Sequence, residues 1–163
     1  YIASQLAGMG YRVSGWARSE KSLAGVRCFH GDALAGEFLG QLDVLINVLP
    51  LTEQTRGILA HPLLDRLPNG AALINCGRGE HMVNQDVIRA LDSGKLSGAV
   101  LDVFPVEPLP QEDPLWQHPQ VAITPHMASI AQTEAIARQL LDNIQRLHRA
   151  LPLKNRVNKQ SGY

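Results

Sequence analysis

The sequence predicts an α/β protein built on a doubly wound parallel sheet, with a long helix at its C-terminal end. Short apolar runs rich in Val, Ile and Leu alternate with segments whose apolar residues recur at helical spacing. This alternation is typical of parallel strands joined by helical crossovers. Three of the runs are followed closely by Arg78, Glu107 or His126. Since ligands bind at the carboxyl ends of the strands in such sheets, we expect one cleft to hold these three side chains.

The first part of the chain is expected to contain a helix and then two strands. Residues 1–10 have a helical pattern that ends at Gly10, a residue type common just after a helix. The run at 11–16 predicts a strand, and the run at 42–50 predicts a second one. Because a helix precedes the strand at 11–16, another strand is expected ahead of that helix.

The remaining elements continue the alternation. A short helix is expected near 62–67, and the Asn69–Gly70 pair predicts a turn. A helix from residue 84 or 85 to 93 separates two of the last three strands. These strands are predicted at 72–76, 99–104 and 121–125.

A long amphipathic helix is predicted from Ser129 to about Leu151, followed by a polar tail at 155–163 that we expect to be loosely held. The apolar positions that define one face of this helix are Ala135, Ile136, Leu140, Leu141, Ile144 and Leu147.

Composition favours a globular protein and argues against two classes of partner. The 163 residues are 45% hydrophobic and 18% charged, which suits a domain with a sizeable core. The net charge is zero and basic residues are dispersed, so neither nucleic acid nor an acidic membrane surface is expected to bind. The sequence has no apolar run of membrane-spanning length and no signal-like start. We expect a cytoplasmic protein, and the separated Cys28 and Cys76 fit a reducing compartment.

No metal site is expected, because the histidines show neither HxH nor HExxH spacing and do not pair with the cysteines. The histidines to which this applies are His30, His61, His81, His118 and His148.

Four ordered motifs carry a resemblance to a known enzyme family. They are Leu-Pro-Leu-Thr-Glu-Gln-Thr at 49–55, Asn-Cys-Gly-Arg-Gly at 75–79, Leu-Asp-Val-Phe-Pro-Val-Glu-Pro-Leu-Pro at 101–110, and Thr-Pro-His at 124–126. Through them the chain resembles the NAD(P)-dependent D-isomer-specific 2-hydroxyacid dehydrogenases. Further segments resemble the glyoxylate/hydroxypyruvate reductase A type within that family, namely 15–19, 91–96, 114–119 and 161–163.

The resemblance implies that such enzymes carry more chain in front of the matching part. They have a substrate domain, the first strand of a Rossmann-like fold and a glycine-rich pyrophosphate loop, none of which is among these residues. We therefore expect the chain to be the C-terminal half of an enzyme that needs its other half for catalysis. Residues 1–127 would form the incomplete NAD(P)-binding domain, and the helix and tail at 128–163 would pack toward the substrate domain.

The resemblance further implies reduction of small 2-oxo acids, glyoxylate and hydroxypyruvate above all, by hydride transfer. Arg78 would hold the substrate carboxylate, since a guanidinium can bind a carboxylate bidentately. His126 would protonate the carbonyl oxygen, and Glu107 would favour the charged imidazole. Each residue also has an ordinary alternative: a surface ion pair, a structural histidine or a solvated loop carboxylate.

Cofactor contacts are implied for the same strand ends. Asp102 would contact the nicotinamide carboxamide, although a carboxylate at a strand end can also cap a nearby turn. Ordinary packing is an equal alternative for the residues assigned to the adenosine side, which are Leu49, Pro50 and Thr55. Backbone close to the nicotinamide is implied for Asn75, Cys76, Gly77 and Arg78, and glycines at 77 and 79 would permit that approach.

The residues after the strand at 11–16 favour NADPH over NADH. At this place an acidic residue commonly binds the ribose 2′-hydroxyl of NAD. Here Trp16 and Ala17 are followed by Arg18, Ser19 and, two residues on, Lys21. These groups can bind a 2′-phosphate, with a solvent-facing basic turn as the alternative.

Two other functions stay open at this point. The chain could be a non-enzymatic dinucleotide-sensing or scaffold module of the same fold, or a structural fragment without activity of its own. The joint presence of Arg78, Glu107 and His126 favours the enzyme, because a sensor needs no proton donor. The family resemblance also implies a homodimer for the complete protein.

Overall fold

The computed structural model describes residues 1–31, 36–129 and 132–157, and all its named strands pair in parallel. A two-stranded sheet has the order β1-β2, and a four-stranded sheet has the order β3-β4-β5-β6. The strands are β1 (Val13–Ala17), β2 (Val26–His30), β3 (Val44–Asn47), β4 (Ala71–Asn75), β5 (Leu96–Leu101) and β6 (Val121–Ile123). The helices are α1 (Ile2–Gly8), α2 (His61–Leu64), α3 (Asn84–Asp92) and α4 (Thr133–His148). The parallel α/β architecture predicted from the sequence is thus confirmed.

The sheet is divided between β1 and β3 rather than continuous. In a dinucleotide-binding sheet of strand order 3-2-1-4-5-6, strand 1 lies between strands 2 and 4. The pair β1-β2 matches positions 2 and 3, and β3 continues from position 4. No strand in the described ranges stands between β1 and β3. This is the place of the first strand that the sequence analysis expects and does not find among these residues.

Strand β2 is missing from the sequence-based prediction. It pairs with β1 from Val26 to His30, and Phe29 is its one buried residue. Arg27 and His30 are exposed, so the strand has the half-solvated character of a sheet edge rather than a continuous apolar run. An apolar-run criterion overlooks such a strand.

Several predicted boundaries are wrong, among them those of one strand and of the long helix. Strand β5 covers Leu96–Leu101 instead of 99–104, because the chain leaves the ladder at Asp102, whose carboxylate bonds to other loops. Helix α4 starts at Thr133 and ends at His148, inside the predicted limits. The motif at 161–163 and the end of the predicted polar tail lie outside the described residues.

One core cluster joins the four-stranded sheet and the helices α2 and α3 with Phe29 of β2 and with residues of the connecting segments such as Leu39 and Leu115. Central strand β4 alternates buried and partly buried residues and places Leu73 fully inside. The largest fully buried apolar side chains are Leu39, Leu64, Leu73, Leu91, Leu96, Leu101, Leu115, Val87 and Val103. This packing holds the carboxyl ends of β3, β4 and β5 in fixed register.

Helix α4 presents its apolar face to solvent. None of its residues is buried, and the predicted stripe residues Ile136, Leu140, Leu141, Ile144 and Leu147 are between 44% and 70% exposed. Within the described ranges no helix is both long and apolar enough to cross a bilayer.

Candidate active site

The candidate site begins where β4, β5 and β6 end side by side. Asn75, the last residue of β4, pairs with Leu101 at the end of β5, and Leu101 pairs with Ile123 at the end of β6. The three following loops therefore leave the sheet at one level. These loops carry Arg78, Glu107 and His126, as the sequence predicts.

His126 and Glu107 form a direct hydrogen-bonded pair. His126 Nδ1 lies 2.8 Å from Glu107 Oε2, and Glu107 Oε1 accepts a hydrogen bond of 2.9 Å from the backbone N–H of Phe104. The hydrogen bond from His126, and after it the one from Phe104, holds the pKa of Glu107 below its ordinary value. A charged carboxylate must accept, so Nδ1 carries the hydrogen. Nε2 is then the ring nitrogen that can face a substrate.

The turn that carries His126 is organised by Asp102. His126 has a φ of 50°, in the left-handed region that side chains rarely occupy. Buried Asp102 accepts hydrogen bonds from the hydroxyl of Thr124 and from the backbone N–H groups of Met127 and Ala128, the last two at 2.9 Å. Asp102 thus bonds to Thr124 before His126 and to Met127 and Ala128 after it, which fixes the chain on both sides of the left-handed residue.

These contacts also determine the charge of Asp102. Burial by itself would raise the pKa of Asp102, but the hydrogen bonds from Thr124, Ala128 and Met127 outweigh it and hold the pKa below its ordinary value. Both carboxylate oxygens are therefore used to cap the turn, which matches the structural alternative given for Asp102. A contact of this residue with nicotinamide stays a prediction.

Arg78 is exposed, while the backbone around it is tightly held. Its Nη1 donates to the carbonyl of Gly77 at 2.7 Å, and its backbone N–H donates to Nδ1 of His81 at 3.1 Å. The guanidinium thus lies at the end of β4 with access to solvent, and its binding of a substrate carboxylate stays a prediction.

Gly79 explains how the Arg78 loop meets the Glu107 loop. A Cβ atom on Gly79 would lie 1.8 Å from the carbonyl carbon of Phe104 and 2.4 Å from the nitrogen of Pro105. The sequence analysis assigns this glycine to close approach of the nicotinamide. In the structure its missing side chain makes room for the backbone that leads to Glu107. A Cβ on Gly77 would instead meet Asn47 Nδ2 at 2.7 Å and His81 Nδ1 at 2.8 Å.

Side chains on the predicted adenosine side stabilise their own loop. Thr55 Oγ1 donates to the carbonyl of Pro50 at 2.8 Å, and the N–H of Leu49 donates to Asn47 Oδ1 at 3.2 Å. Cys76 is partly buried, and burial, with the charge of Asp102, raises the pKa of its thiol. The thiol is therefore neutral near pH 7.

The predicted 2′-phosphate residues lie in the smaller sheet. Trp16 belongs to β1, and its Nε1 donates to the carbonyl of Gly31 at 2.9 Å. Arg18, Ser19 and Lys21 follow the carboxyl end of β1 and are exposed. The structure thus presents two basic side chains and a hydroxyl at that end.

Sequence reasoning missed a buried group next to Arg78. Asn47, Asn75 and His81 are 4%, 0% and 0% exposed, and Asn47 bonds to both of the others. The sequence analysis considers His81 only as a metal ligand and does not single out Asn47. The sequence does contain a signal for the two amides of this group. Asn47 and Asn75 each end an apolar strand, and a buried amide there must find a hydrogen-bond partner.

Comparison with known proteins identifies the family. Residues 1–128 match the family described as "D-isomer specific 2-hydroxyacid dehydrogenase, NAD binding domain". The chain belongs to this family. Its predicted doubly wound, Rossmann-like fold is confirmed by the solved relatives described next.

Three relatives show the extent of the similarity. The chain is 46% identical over 162 residues to glyoxylate/hydroxypyruvate reductase A of Klebsiella pneumoniae (strain 342), covering 99% of this chain and 52% of that protein. It is 73% identical to a crystal structure of a family member from Klebsiella pneumoniae 342, with a TM-score of 0.91 and coverage of 99% and 52%. The NADPH-dependent glyoxylate/hydroxypyruvate reductase of Sinorhizobium meliloti, solved with NADP and sulfate, is 40% identical, with a TM-score of 0.94 and coverage of 99% and 52%. The chain thus spans about half the length of these relatives.

Replacing Gly79 with Ala should destabilise the chain. The new methyl group would overlap backbone atoms of Phe104 and Pro105 that no side-chain rotation can move. We expect a loss of about 1–3 kcal/mol in the free energy of unfolding, as for other overpacked sites. Urea denaturation of Gly79→Ala measures this, with Gly8→Ala as control because a Cβ there meets nothing within 4 Å. Equal unfolding midpoints for wild type and Gly79→Ala would contradict the assigned contact.

Replacing Asp102 with Asn should make the chain less sensitive to acid. Because the pKa of Asp102 is lowered in the folded state, its carboxylate stabilises the fold above the unfolded pKa of about 3.9. That stabilisation is lost as the pH falls through the folded pKa. We expect Asp102→Asn to be less stable at pH 7 and to show a smaller further loss on acidification.

Urea midpoints measured from pH 7 downward test this expectation. Exposed Asp65 provides the control variant Asp65→Asn. An acid dependence in Asp102→Asn as steep as that of wild type would show that Asp102 is not charged in the way described.

Proposed function

We propose that the complete gene product is an NADPH-dependent reductase of small 2-oxo acids, with glyoxylate and hydroxypyruvate as the first substrates to test. This chain would supply the dinucleotide-binding domain at 1–127 and the proton-transfer pair. The observation that carries the proposal is the 2.8 Å hydrogen bond between His126 Nδ1 and Glu107, placed at the strand edge where exposed Arg78 also lies. Two reductases of this substrate class are among the relatives.

Each residue has a separate role in the proposed reaction. Arg78 binds the substrate carboxylate and orients the adjoining carbonyl. His126 donates the proton on Nε2 to the carbonyl oxygen as the carbon–oxygen double bond becomes single. Glu107 stabilises the charged ring before that transfer and keeps Nδ1 turned away from the substrate. When bound, the reduced nicotinamide supplies the hydride that forms the new C–H bond.

The cofactor assignment rests on the carboxyl end of β1. Arg18, Ser19 and Lys21 are exposed there, and cationic and hydroxyl groups suit the 2′-phosphate that distinguishes NADPH from NADH. The NADP complex of the Sinorhizobium meliloti relative supports the same choice. Along the neighbouring strands, Leu49, Pro50 and Thr55 would flank the adenosine, and Asn75, Cys76 and Gly77 would lie near the nicotinamide.

The C-terminal part at 128–163 would serve assembly. Exposure of the apolar stripe of α4, including Leu140 at 60% and Leu147 at 70%, supports packing of this face against the substrate domain in the complete protein. A homodimer in the cytoplasm is part of the same proposal.

The first test is NADPH oxidation by the complete gene product with glyoxylate and with hydroxypyruvate. We expect turnover with both acids, and a loss of about 10²–10⁴-fold in His126→Ala, the usual contribution of a general acid. Binding of NADPH to the variant, followed by its fluorescence, should stay close to wild type. Exposed His148 offers the control variant His148→Ala.

Two results would contradict the proposal in different ways. Tight NADPH binding without turnover in wild type would favour the dinucleotide-sensing module. Absence of both binding and turnover in the complete gene product would contradict the reductase and the sensing module alike.

Replacing Arg18 with Ala should change the preference between the two cofactors. The variant loses the cation assigned to the 2′-phosphate, a group that NADPH has and NADH lacks, so we expect the KM for NADPH to rise far more than the KM for NADH. A charge-assisted hydrogen bond contributes about 1.5–3 kcal/mol to binding, and every 1.4 kcal/mol corresponds to about a tenfold change in a binding constant. Initial rates with both cofactors at saturating glyoxylate give the two KM values and their ratio.

Arg12→Ala, at an exposed position before β1, is the control. Equal effects of Arg18→Ala on both KM values would contradict the assignment of Arg18 to the 2′-phosphate.

A further inference from the structure

A buried polar cluster joins three loops at the edge of the sheet. We call Asn47, Asn75 and His81 the amide–imidazole cluster. Asn47 Nδ2 lies 2.8 Å from Asn75 Oδ1 and 2.9 Å from His81 Nδ1. All three side chains are at least 96% shielded from solvent, and neither Asn47 nor His81 has a role in the reaction proposed above.

The orientation of both amides follows from their backbone partners. Asn75 Oδ1 accepts from the N–H of Gly77 at 3.2 Å, and Asn47 Oδ1 accepts from the N–H of Leu49 at 3.2 Å. A backbone N–H can only donate, so each of these side-chain atoms must be the oxygen. Asn47 Nδ2 is then a donor, and one of the two groups it faces is His81 Nδ1.

The tautomer of His81 follows from the same logic. Nδ1 faces two donors, Asn47 Nδ2 and the backbone N–H of Arg78 at 3.1 Å, so it has to carry a lone pair. Nε2 lies 3.3 Å from the carbonyl of Pro50, which can only accept. The ring is therefore neutral with its hydrogen on Nε2, and burial, the largest influence, lowers the pKa of His81 in agreement.

The neutral ring connects the two sides of the site. Through Nδ1 it holds the backbone of Arg78, whose carbonyl also accepts from Asn75 Nδ2 at 3.3 Å. Through Nε2 it holds Pro50, whose carbonyl is shared with Thr55. Since a buried donor without a partner is costly, loss of either bond should shift the loop on that side only.

We propose that His81 is a positioning residue with two separable tasks, acting as a neutral imidazole protonated on Nε2. Its Nδ1 fixes the Arg78 loop for the substrate carboxylate, and its Nε2–H fixes the Pro50 loop for the dinucleotide. The catalytic consequence rests on the proposed function. The hydrogen-bonding arrangement itself does not.

Two substitutions separate the tasks because each keeps one end of the ring. His81→Asn keeps an acceptor near the place of Nδ1 and loses the donor to Pro50. His81→Gln keeps a donor near the place of Nε2 and loses the acceptor for Arg78. His61→Asn is the matched control, because His61 is exposed at the start of α2.

Steady-state kinetics of the complete gene product provide the first readout. For His81→Gln we expect kcat/KM for glyoxylate to fall about 10–100-fold, as for a misplaced binding group, with the KM for NADPH unchanged. For His81→Asn we expect the opposite division: a several-fold higher KM for NADPH, and glyoxylate turnover near wild type at saturating NADPH. Parallel losses in both variants would mean a merely structural role, and wild-type kinetics in both would mean no role. Either result overturns the proposal.

A nuclear magnetic resonance readout tests His81 even if wild type shows no turnover. Nitrogen-15 shifts of His81 should identify Nδ1 as unprotonated and Nε2 as protonated. The amide of Arg78 should be protected from hydrogen exchange in wild type and in His81→Asn, and should lose protection in His81→Gln. A proton on Nδ1, or equal protection in all three proteins, would overturn the proposal whatever the enzyme assay shows, whereas absent turnover alone would count only against the proposed function.

Discussion

The site depends on one constraint: backbone groups that leave a buried sheet must find partners away from water. Every buried polar or charged side chain in the described ranges lies at the same edge, and these are Asn47, Asn75, His81 and Asp102. Asn47 and Asn75 are the last residues of adjacent strands, and Asp102 follows the last residue of the next. Each satisfies N–H groups of a loop where no sheet ladder continues. These hydrogen bonds hold the irregular loops to the ends of the strands.

This arrangement separates buried residues that hold the loops from the exposed pair that is proposed to react. His126 and Glu107 keep 49% and 36% of their side-chain surface exposed, while Asp102, which holds the turn of His126, is only 2% exposed. Hydrogen bonds in the buried layer are little screened by water, so they fix geometry strongly. His126 and Glu107, which are not buried, stay accessible to a substrate. Close contact of Gly79 with the Phe104 backbone joins the loops of Arg78 and Glu107 without any side-chain bond.

The sequence was sufficient for features that depend on local pattern. Apolar runs predicted the strands of the larger sheet, and the motif residues predicted the family and the edge that carries Arg78, Glu107 and His126. It was insufficient where the deciding partner is distant in the chain. His81 contacts Asn47, which is 34 residues away, and no spacing rule connects an isolated histidine with a strand-end amide. Strand β2 was missed for a related reason, because its pairing with β1 rather than its own apolarity makes it a strand.

The difference between Asp102 and Glu107 shows how two carboxylates at one edge acquire different tasks. Asp102 bonds to one hydroxyl and two backbone N–H groups, so both of its oxygens hold the loop that carries His126. Glu107 uses one oxygen for Phe104 and gives the other to an imidazole. The first bond stops the carboxylate from rotating, and that restriction is what gives the second a direction. The loop after β5 thus carries two carboxylates within six residues: Asp102, which uses both oxygens to hold a turn, and Glu107, which uses one oxygen for its own loop and offers the other to the imidazole of the proposed proton-transfer pair.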